Sequence, residues 1–260
     1  MMGADAAGRP SAIALVVAVA LVAVSPPTTG AESCALPTKH AGVTFPLDRL
    51  EAGWACRLRP IVEQFTTANK FGPLRAPLSE SLYQYFLEHP VMAAALLNRL
   101  DLGLYKAEMR GGGTFWATDG EGTEGVVQPL YRDGVTRIYF AQGSHDGRFL
   151  PRVTGKAVVL LRFHPVQDHQ GRESVDSTMV AYLRLDNRFL SGLMSLLRPL
   201  IGQVVNRQLL KGFEAVRRLG EMMHTQPKQV WFEATDPPAL PDEEVAFLKQ
   251  ALQEIGMKGP

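Results

Sequence analysis

The sequence predicts an α+β fold, in which a curved antiparallel sheet wraps around one long C-terminal helix. Between residues 105 and 185, short apolar runs alternate with turn sequences such as Gly111-Gly112-Gly113, which is typical of antiparallel strands. From residue 189 to residue 223, apolar side chains recur at helical spacing, with charged side chains between them. The chain has 260 residues, of which 46% are hydrophobic, so its composition is that of a globular protein and excludes a disordered or collagenous one.

The N-terminal segment predicts export. Residues 12–24 form an uninterrupted apolar run that ends at Ser25-Pro26-Pro27, and Thr29-Gly30-Ala31 offers a cleavage site for a signal peptidase. A helix needs about 20 apolar residues to cross a membrane, and this run is shorter. We therefore expect residues 1–31 to be a signal peptide and the mature protein to be periplasmic or secreted. An uncleaved membrane anchor is the alternative.

The cysteine count and the charge exclude several classes of site. The chain has two cysteines, Cys34 and Cys56, which excludes a disulfide-dense scaffold and any multi-cysteine zinc or iron–sulfur site. In an exported protein we expect them to form one disulfide; two unpaired thiols are the alternative. Because 27 basic residues face 26 acidic ones, the sequence shows no excess of positive charge for a nucleic-acid partner, and we expect none.

The elements before the sheet are predicted from proline and capping residues. Residues 32–72 are expected to form an N-terminal extension that packs onto the main body, with a helix beginning at Pro60. Ser79 is expected to cap a second helix, because a serine hydroxyl can accept a bond from a free backbone N–H of the first turn. That helix ends at His89-Pro90, and a third helix follows over residues 91–100.

The strands are predicted from turn signals and from side-chain alternation. Asp133-Gly134, between two runs rich in β-branched and aromatic residues, is the strongest hairpin signal in the chain. Because side chains alternate along a strand, one face of the last two strands is expected to be apolar and the opposite face wet. The apolar face carries Ala157, Val159, Leu161 and Phe163 from one strand, and Met179, Ala181, Leu183 and Leu185 from the next.

The C-terminal third is predicted to cover the apolar face. A cap at Asp186-Asn187 begins a short helix, and Pro199 is expected to separate it from a long amphipathic helix over residues 199–224. The tail, residues 225–260, is expected to contain a further amphipathic helix that begins at Asp242 and ends at a glycine.

Two helices, a run of antiparallel strands and a long C-terminal helix follow the helix-grip order. The segment 76–90, Ala-Pro-Leu-Ser-Glu-Ser-Leu-Tyr-Gln-Tyr-Phe-Leu-Glu-His-Pro, and the strand 178–185 that runs into the amphipathic helix carry this likeness. On these features the region 73–224 resembles the START-like superfamily of ligand-binding domains, also called SRPBCC. The resemblance implies a space between sheet and helix that holds an apolar ligand such as a lipid. The extension, the break at Pro199 and the tail helix depart from the family pattern.

The resemblance and the apolar patterns together predict a ligand site. The expected cavity residues come from the two strands and the long helix: Val159, Leu161, Phe163, Met179, Ala181, Leu183, Val204, Leu209 and Phe213. The apolar stretch before the long helix is either core or a lid that contacts a membrane, and its candidate contacts are Phe189, Leu193, Leu196 and Leu197. An arginine among Arg110, Arg137, Arg162 and Arg184 would anchor a lipid carboxylate or phosphate if it faced the cavity.

Histidine clusters offer weaker signals for chemistry. His164 and His169 flank a carboxylate within six residues, but a metal site needs three or four converging ligands, so a solvated turn is the preferred interpretation. His145-Asp146 would suit acid–base catalysis, but a polar turn is the preferred interpretation. We therefore assign no catalytic residue, no metal and no cofactor.

Three functions remain open at this level. The first is an exported binding protein that carries or presents an apolar ligand, with transient membrane contact. The second is an enzyme, cyclase-like or hydrolytic, that acts on an apolar substrate with His145, Asp146 or His164 as acid–base groups. The third is an interaction module whose tail helix docks on an unidentified protein partner.

Overall fold

A seven-stranded antiparallel sheet and a long helix form the body of the protein. The structure is a computed structural model that describes residues 34–147, 150–168, 171–186 and 194–256, with the backbone alone for 150–151 and 194–200. The predicted signal peptide lies outside the described residues. In chain order the elements are β1 (Lys39–His40), β2 (Val43–Thr44), α1 (Ala52–Glu63), β3 (Thr67–Ala76), α2 (Glu80–Glu88), α3 (Pro90–Arg99), β4 (Lys106–Gly111), β5 (Thr114–Thr118), β6 (Thr123–Arg132), β7 (Thr136–Gly147), β8 (Leu150–Gln167), β9 (Glu173–Leu185), α4 (Met194–Thr225), α5 (Pro227–Thr235) and α6 (Asp242–Ile255).

The sheet confirms the predicted α+β class and the helix-grip arrangement. Its strand order is β3-β9-β8-β7-β6-β5-β4, so only β3 joins it out of sequence, beside β9. The predicted hairpin at Asp133 is confirmed, because its Oδ1 accepts bonds from the backbone N–H groups of Val135 at 2.9 Å and Thr136 at 2.7 Å. The predicted start of the family-like region, residue 73, falls inside β3.

Local signals set several helix ends as expected. The backbone N–H of Leu82 donates to the Ser79 hydroxyl at 3.3 Å, which confirms the cap of α2. The break at His89-Pro90 is also confirmed, since α2 ends at Glu88 and α3 begins at Pro90. Gly256 ends α6 in the left-handed conformation, with a φ of 110°.

Two predictions based on proline were wrong. Pro60 lies inside α1, which begins eight residues earlier at Ala52 and is held by burial of Leu58, Ile61 and Val62. Pro199 does not separate two helices, because α4 is continuous from Met194 to Thr225. Pro199 is the sixth residue of α4, so it removes one backbone bond, to the carbonyl of residue 195, without ending the helix. The short helix α5 was not predicted at all.

The outer, convex face of the sheet is covered, and the expectation of a wet face was wrong. The segment 34–63, here called the N-terminal segment, packs its apolar side chains on this face because alternate positions of β7, β8 and β9 are aliphatic on both sides of the sheet. The buried members are Leu36, Phe45, Leu47, Leu50, Leu58, Ile61 and Val62 of the segment, and Ile138, Phe140, Val158, Leu160 and Val180 of the sheet.

A disulfide between Cys34 and Cys56 closes the N-terminal segment, as predicted. Cys56 lies in α1, so the bond ties the start of the segment to the helix that packs on the convex face. Disulfides are typical of proteins that mature in oxidising compartments. In the described part of the chain, no helix combines the length and the apolar character that a membrane crossing requires.

The inner, concave face is filled at one end by helices. The predicted apolar face is confirmed by the strand register, which pairs Leu161 with Met179 and Val159 with Ala181. The core at this end contains Phe71, Leu161, Phe163 and Met179 of the sheet, Leu82, Phe86, Met92 and Leu96 of α2 and α3, Ala215, Leu219 and Met223 of α4, and Val230, Leu248 and Leu252 of α5 and α6.

Candidate functional site: an apolar cavity with one polar end

The other end of the concave face is hollow. A cavity of about 410 Å³ lies between β5–β9 and the first half of α4. Small-molecule sites in proteins commonly measure about 300–1,000 Å³ and are lined mostly by apolar side chains. The apolar part of the wall consists of Val127, Val153, Val159, Leu183, Leu185, Ile201, Val204, Val205 and Leu209.

A row of three glycines crosses the floor of the cavity. Gly125 of β6 pairs with Gly143 of β7, which pairs with Gly155 of β8. A Cβ atom on Gly143 would lie 2.2 Å from the carbonyl oxygen of Glu124, and one on Gly125 would lie 2.8 Å from that of Gln142. Only glycine fits such a close approach between strands, and it also leaves the floor without side chains.

Alanines extend the same floor at one end of the glycine row, where Ala117 pairs with Gly125, and along one side of it, where Ala141 pairs with Ala157. Ala117, Ala141, Ala157 and Ala181 belong to four different strands, and all four line the cavity. The space therefore arises from small residues at matching positions of neighbouring strands.

The predicted cavity residues divide into two groups. Val159, Ala181, Leu183, Val204 and Leu209 line the cavity. Leu161, Phe163 and Met179 are buried in the filled core, and Phe213 packs against that core. The candidate lid residues Phe189 and Leu193, and the side chains of Leu196 and Leu197, lie outside the described part of the chain, so the lid stays a prediction.

Polar side chains gather at the end of the cavity nearest the β5–β6 turn. Asp119 closes this turn, since its Oδ1 accepts from the backbone N–H of Glu121 at 2.8 Å and of Thr123 at 3.0 Å. Its second oxygen, Oδ2, is buried and meets no hydrogen-bond donor among the described residues. His145 lines the same end, whereas the Ser144 hydroxyl accepts from Nη2 of Arg152 at 3.3 Å on the opposite face.

His145 is held by a threonine and not by its neighbouring aspartate. It lies within β7, not in a turn as expected, and its Nδ1 is 3.0 Å from Oγ1 of Thr123. Asp146 is exposed, at a point where the β7–β8 register shifts, and the partner of His145 among the described residues is Thr123, so His145 and Asp146 do not form the acid–base pair considered above.

The second histidine pattern is also distributed over a strand. His164 lies in β8 opposite Asp176 of β9. Asp168 is engaged by the guanidinium of Arg172, whose Nε donates to Oδ2 at 2.7 Å. Within the ranges that the structure describes, no three His, Cys, Asp or Glu residues converge as metal ligands would, and His169 lies outside those ranges.

The polar end adjoins a surface depression beside α4. This depression, of about 680 Å³, shares Tyr105, Asp119 and Gln208 with the cavity. Burial raises the pKa of Tyr105, and the negative charges of Asp119 and Glu121 raise it further. The hydrogen bond from Lys211 of α4, at 2.6 Å, is the main reason that the pKa of Glu121 is lowered.

The strand arginines point away from the cavity. Arg137 is buried at the filled end, where its Nη2 donates to Glu88 of α2 at 3.1 Å. Arg162 and Arg184 donate to carbonyl oxygens of the N-terminal segment on the convex face. Arg110 pairs with Glu108 on its own strand. None of the four lies among the described residues of the cavity wall.

Comparisons with known proteins give structural likenesses only. No family model and no curated protein matches the chain. A conserved protein from Geobacillus kaustophilus aligns with a TM-score of 0.42 and 8% identity, over 59% of this chain and 93% of its own. Ara h 8.0201 aligns with a TM-score of 0.32 and 14% identity, over 59% and 95% of the two chains.

A third solved structure also aligns with a low TM-score and low sequence identity. An uncharacterized protein from Rhizobium leguminosarum aligns with a TM-score of 0.27 and 17% identity, over 58% of this chain and 97% of its own. With TM-scores from 0.27 to 0.42, the three alignments do not place the chain in a family.

Proposed function

We propose that the protein is an exported binding protein that holds an apolar ligand, a lipid or a molecule of similar character, between the concave face of the sheet and α4. The observation that carries the proposal is the cavity itself, whose wall is aliphatic over most of its area and whose floor consists of glycine and alanine. Burying an apolar molecule there releases about 25 cal/mol per Å² of apolar surface removed from water.

The parts of the fold that stabilise the sheet are separate from the cavity, which supports this role. The core at the filled end, the N-terminal segment and the disulfide hold the sheet from both sides, so the hollow end does not need to collapse to stabilise the protein. A preformed cavity lowers the cost of binding, because few side chains must be ordered when the ligand arrives.

Native mass spectrometry tests whether the protein carries a ligand. The protein is purified without detergent, and the bound material is then extracted with an organic solvent. We expect an added mass that extracts into the organic phase. A bare protein that also stays bare after incubation with a total lipid extract would contradict the proposal.

A matched pair of substitutions tests whether the ligand occupies the cavity. Val204 lines the cavity, whereas Leu210 lies six residues further along α4 and is exposed beside the surface depression. Val204→Phe fills part of the cavity, and we expect it to weaken binding of the fluorescent apolar probe phenylnaphthylamine by about tenfold or more. Leu210→Phe adds an aromatic ring to the same helix and should leave probe binding unchanged.

Export is tested separately from binding. The disulfide fits an oxidising compartment, and the apolar run of residues 12–24 fits a signal peptide. N-terminal sequencing of the protein from the extracytoplasmic fraction should begin at Glu32. Recovery of the intact N-terminus from the cytoplasm would contradict export without bearing on the cavity.

A further inference from the structure

One acceptor at the polar end of the cavity lacks a donor. Asp119 lines the cavity, and its Oδ1 already receives two backbone N–H groups of the β5–β6 turn. Its Oδ2 is shielded from solvent, and no described residue donates to it. A buried carboxylate oxygen without a donor is costly, so a ligand group that donates to it stabilises this end of the cavity.

Several neighbouring polar side chains are engaged in bonds of their own. The hydroxyl of Thr118 donates to the carbonyl oxygen of Thr123 at 2.8 Å. The side-chain amide of Gln208 donates to Oε2 of Glu121 at 3.1 Å. Oγ1 of Thr123 and Nδ1 of His145 share one bond at 3.0 Å. The unpartnered acceptor at this end of the cavity is therefore Oδ2 of Asp119.

The charge at the cavity wall points the same way. Among the described lining residues, Asp119 and Glu124 carry carboxylates. Glu124 is on the opposite face of β6 from Gly125, where its Oε1 is 3.5 Å from Nη2 of Arg152. The charge of Asp119 therefore repels an anion in a partly dehydrated site, where charges interact more strongly than in water. The strand arginines that would attract an anion are instead bound to Glu88 or to the N-terminal segment.

We infer that the ligand is a non-anionic amphiphile whose polar end is a hydrogen-bond donor, an alcohol or an amine, and that this donor binds Asp119. This inference rests on the proposed function, since it describes which apolar molecules the cavity selects. The apolar part of such a ligand lies along the aliphatic wall from Val159 to Val204, and its polar end faces the β5–β6 turn.

Three amphiphiles with the same chain test the inference. Decanol, decylamine and decanoate differ in the head group alone, and each is titrated at neutral pH against the protein with phenylnaphthylamine bound. We expect decanol and decylamine to displace the probe, and decanoate to bind at least about tenfold more weakly. The reason is that the alcohol and the amine can donate a hydrogen bond to the charged Asp119 carboxylate, and bonds to charged groups are the stronger ones.

A single substitution should change this preference. In Asp119→Asn the amide oxygen can still accept the two turn N–H groups, and the amide nitrogen then takes the place of Oδ2 and donates. We expect the preference for decanol over decanoate to fall by about tenfold, with decanoate binding better than to the wild-type protein.

Asp133→Asn is the matched control. Asp133 closes the β6–β7 turn through the same kind of Oδ1 bonds to two backbone N–H groups, but it does not line the cavity. Asp133→Asn removes one negative charge, as Asp119→Asn does. Thermal unfolding is used to check that each variant is folded. We expect Asp133→Asn to leave the preference unchanged.

The outcomes separate this inference from the proposed function. If wild-type protein binds decanoate as tightly as decanol, or if Asp119→Asn leaves the preference unchanged, the inference is overturned while apolar binding stands. If neither the probe nor any amphiphile binds the wild-type protein, the proposed function fails and the inference fails with it.

Discussion

The two ends of the concave face are built from the same strands and differ in side-chain size. On β8, Leu161 and Phe163 at one end are large and buried, whereas Gly155 and Ala157 at the other end are small and line the cavity. The same helix, α4, crosses both ends. Secondary structure therefore does not distinguish the packed core from the cavity. The volume of the residue at each alternate position does.

Helices accentuate the difference. At the filled end α2, α3, α5 and α6 add apolar side chains to those of α4, so the space is packed from several directions. At the hollow end the described wall opposite the sheet comes mainly from α4, through residues such as Ile201 and Val205. Fewer covering elements and smaller floor residues together leave the cavity open.

The largest expected effect tests the two ends with the same substitution. Leu161 is 5% exposed in the core, whereas Leu183 of the neighbouring strand lies at the cavity wall. We expect Leu161→Ala to lower the free energy of unfolding by about 3 kcal/mol and Leu183→Ala by about 1 kcal/mol, because the second leaves no new void in packed surroundings. Urea denaturation measures both. Equal losses would remove the distinction between the ends.

The disulfide tests the support that both ends share. Cys34 and Cys56 are 22 residues apart, and replacing both by serine should cost about 3 kcal/mol in the chain-entropy view of disulfide stabilisation. We expect probe binding at low temperature to persist, because the bond lies on the convex side. Loss of binding in a variant that is still folded would show that the N-terminal segment shapes the cavity.

A smaller effect is expected from the glycine row. Gly143→Ala places a methyl group against the carbonyl of Glu124, so the strands must shift, at a cost of about 2 kcal/mol, and probe binding should weaken. Gly134→Ala is the control, because a Cβ atom there meets nothing within 4 Å. If Gly143→Ala and Gly134→Ala bind the probe equally well and unfold alike, the close approach of β6 and β7 at Gly143 does not shape the cavity floor.

The smallest effect concerns the convex face and pH. His40 is 3% exposed; its Nε2 donates to the Pro37 carbonyl at 2.6 Å, and its Nδ1 accepts from the Tyr182 hydroxyl at 2.7 Å. Burial lowers the pKa of His40 below its ordinary 6.5, although the bond to Pro37 opposes this. The unfolded chain therefore takes up the proton first as the pH falls.

It follows that the free energy of unfolding should fall as the pH drops below about 6.5. Urea unfolding across that range measures the slope. His40→Gln should flatten the slope but not abolish it, because burial also lowers the pKa of His224. An unchanged slope in this variant would show that His40 does not carry the effect.

Local signals made much of the fold predictable. The cap at Ser79, the break at Pro90 and the turn at Asp133 each depend on bonds within a few residues, so their sequence patterns are sufficient. Periodicity likewise identified the apolar face of the last two strands. It did not separate Val159, at the cavity, from Leu161, in the core, because alternation reports a face and not the space above it.

The missed features depend on distant contacts. The N-terminal segment covers the convex face because Val158, Leu160 and Val180 offer it an apolar surface, and nothing within the segment itself indicates that partner. Pro60 is tolerated inside α1 for the same reason, since burial of the helix outweighs one lost bond. The glycines at 125, 143 and 155 did carry a signal, since a glycine inside a strand marks close backbone approach.

The convex-face packing has a consequence for the order of synthesis. The N-terminal segment is synthesised about a hundred residues before its docking surface on β7–β9, and β3 is likewise made well before β9, its partner in the sheet. Contacts between such distant parts of a chain slow folding and expose apolar surface in the meantime. The N-terminal segment therefore has no partner to pack on until β7–β9 have been made.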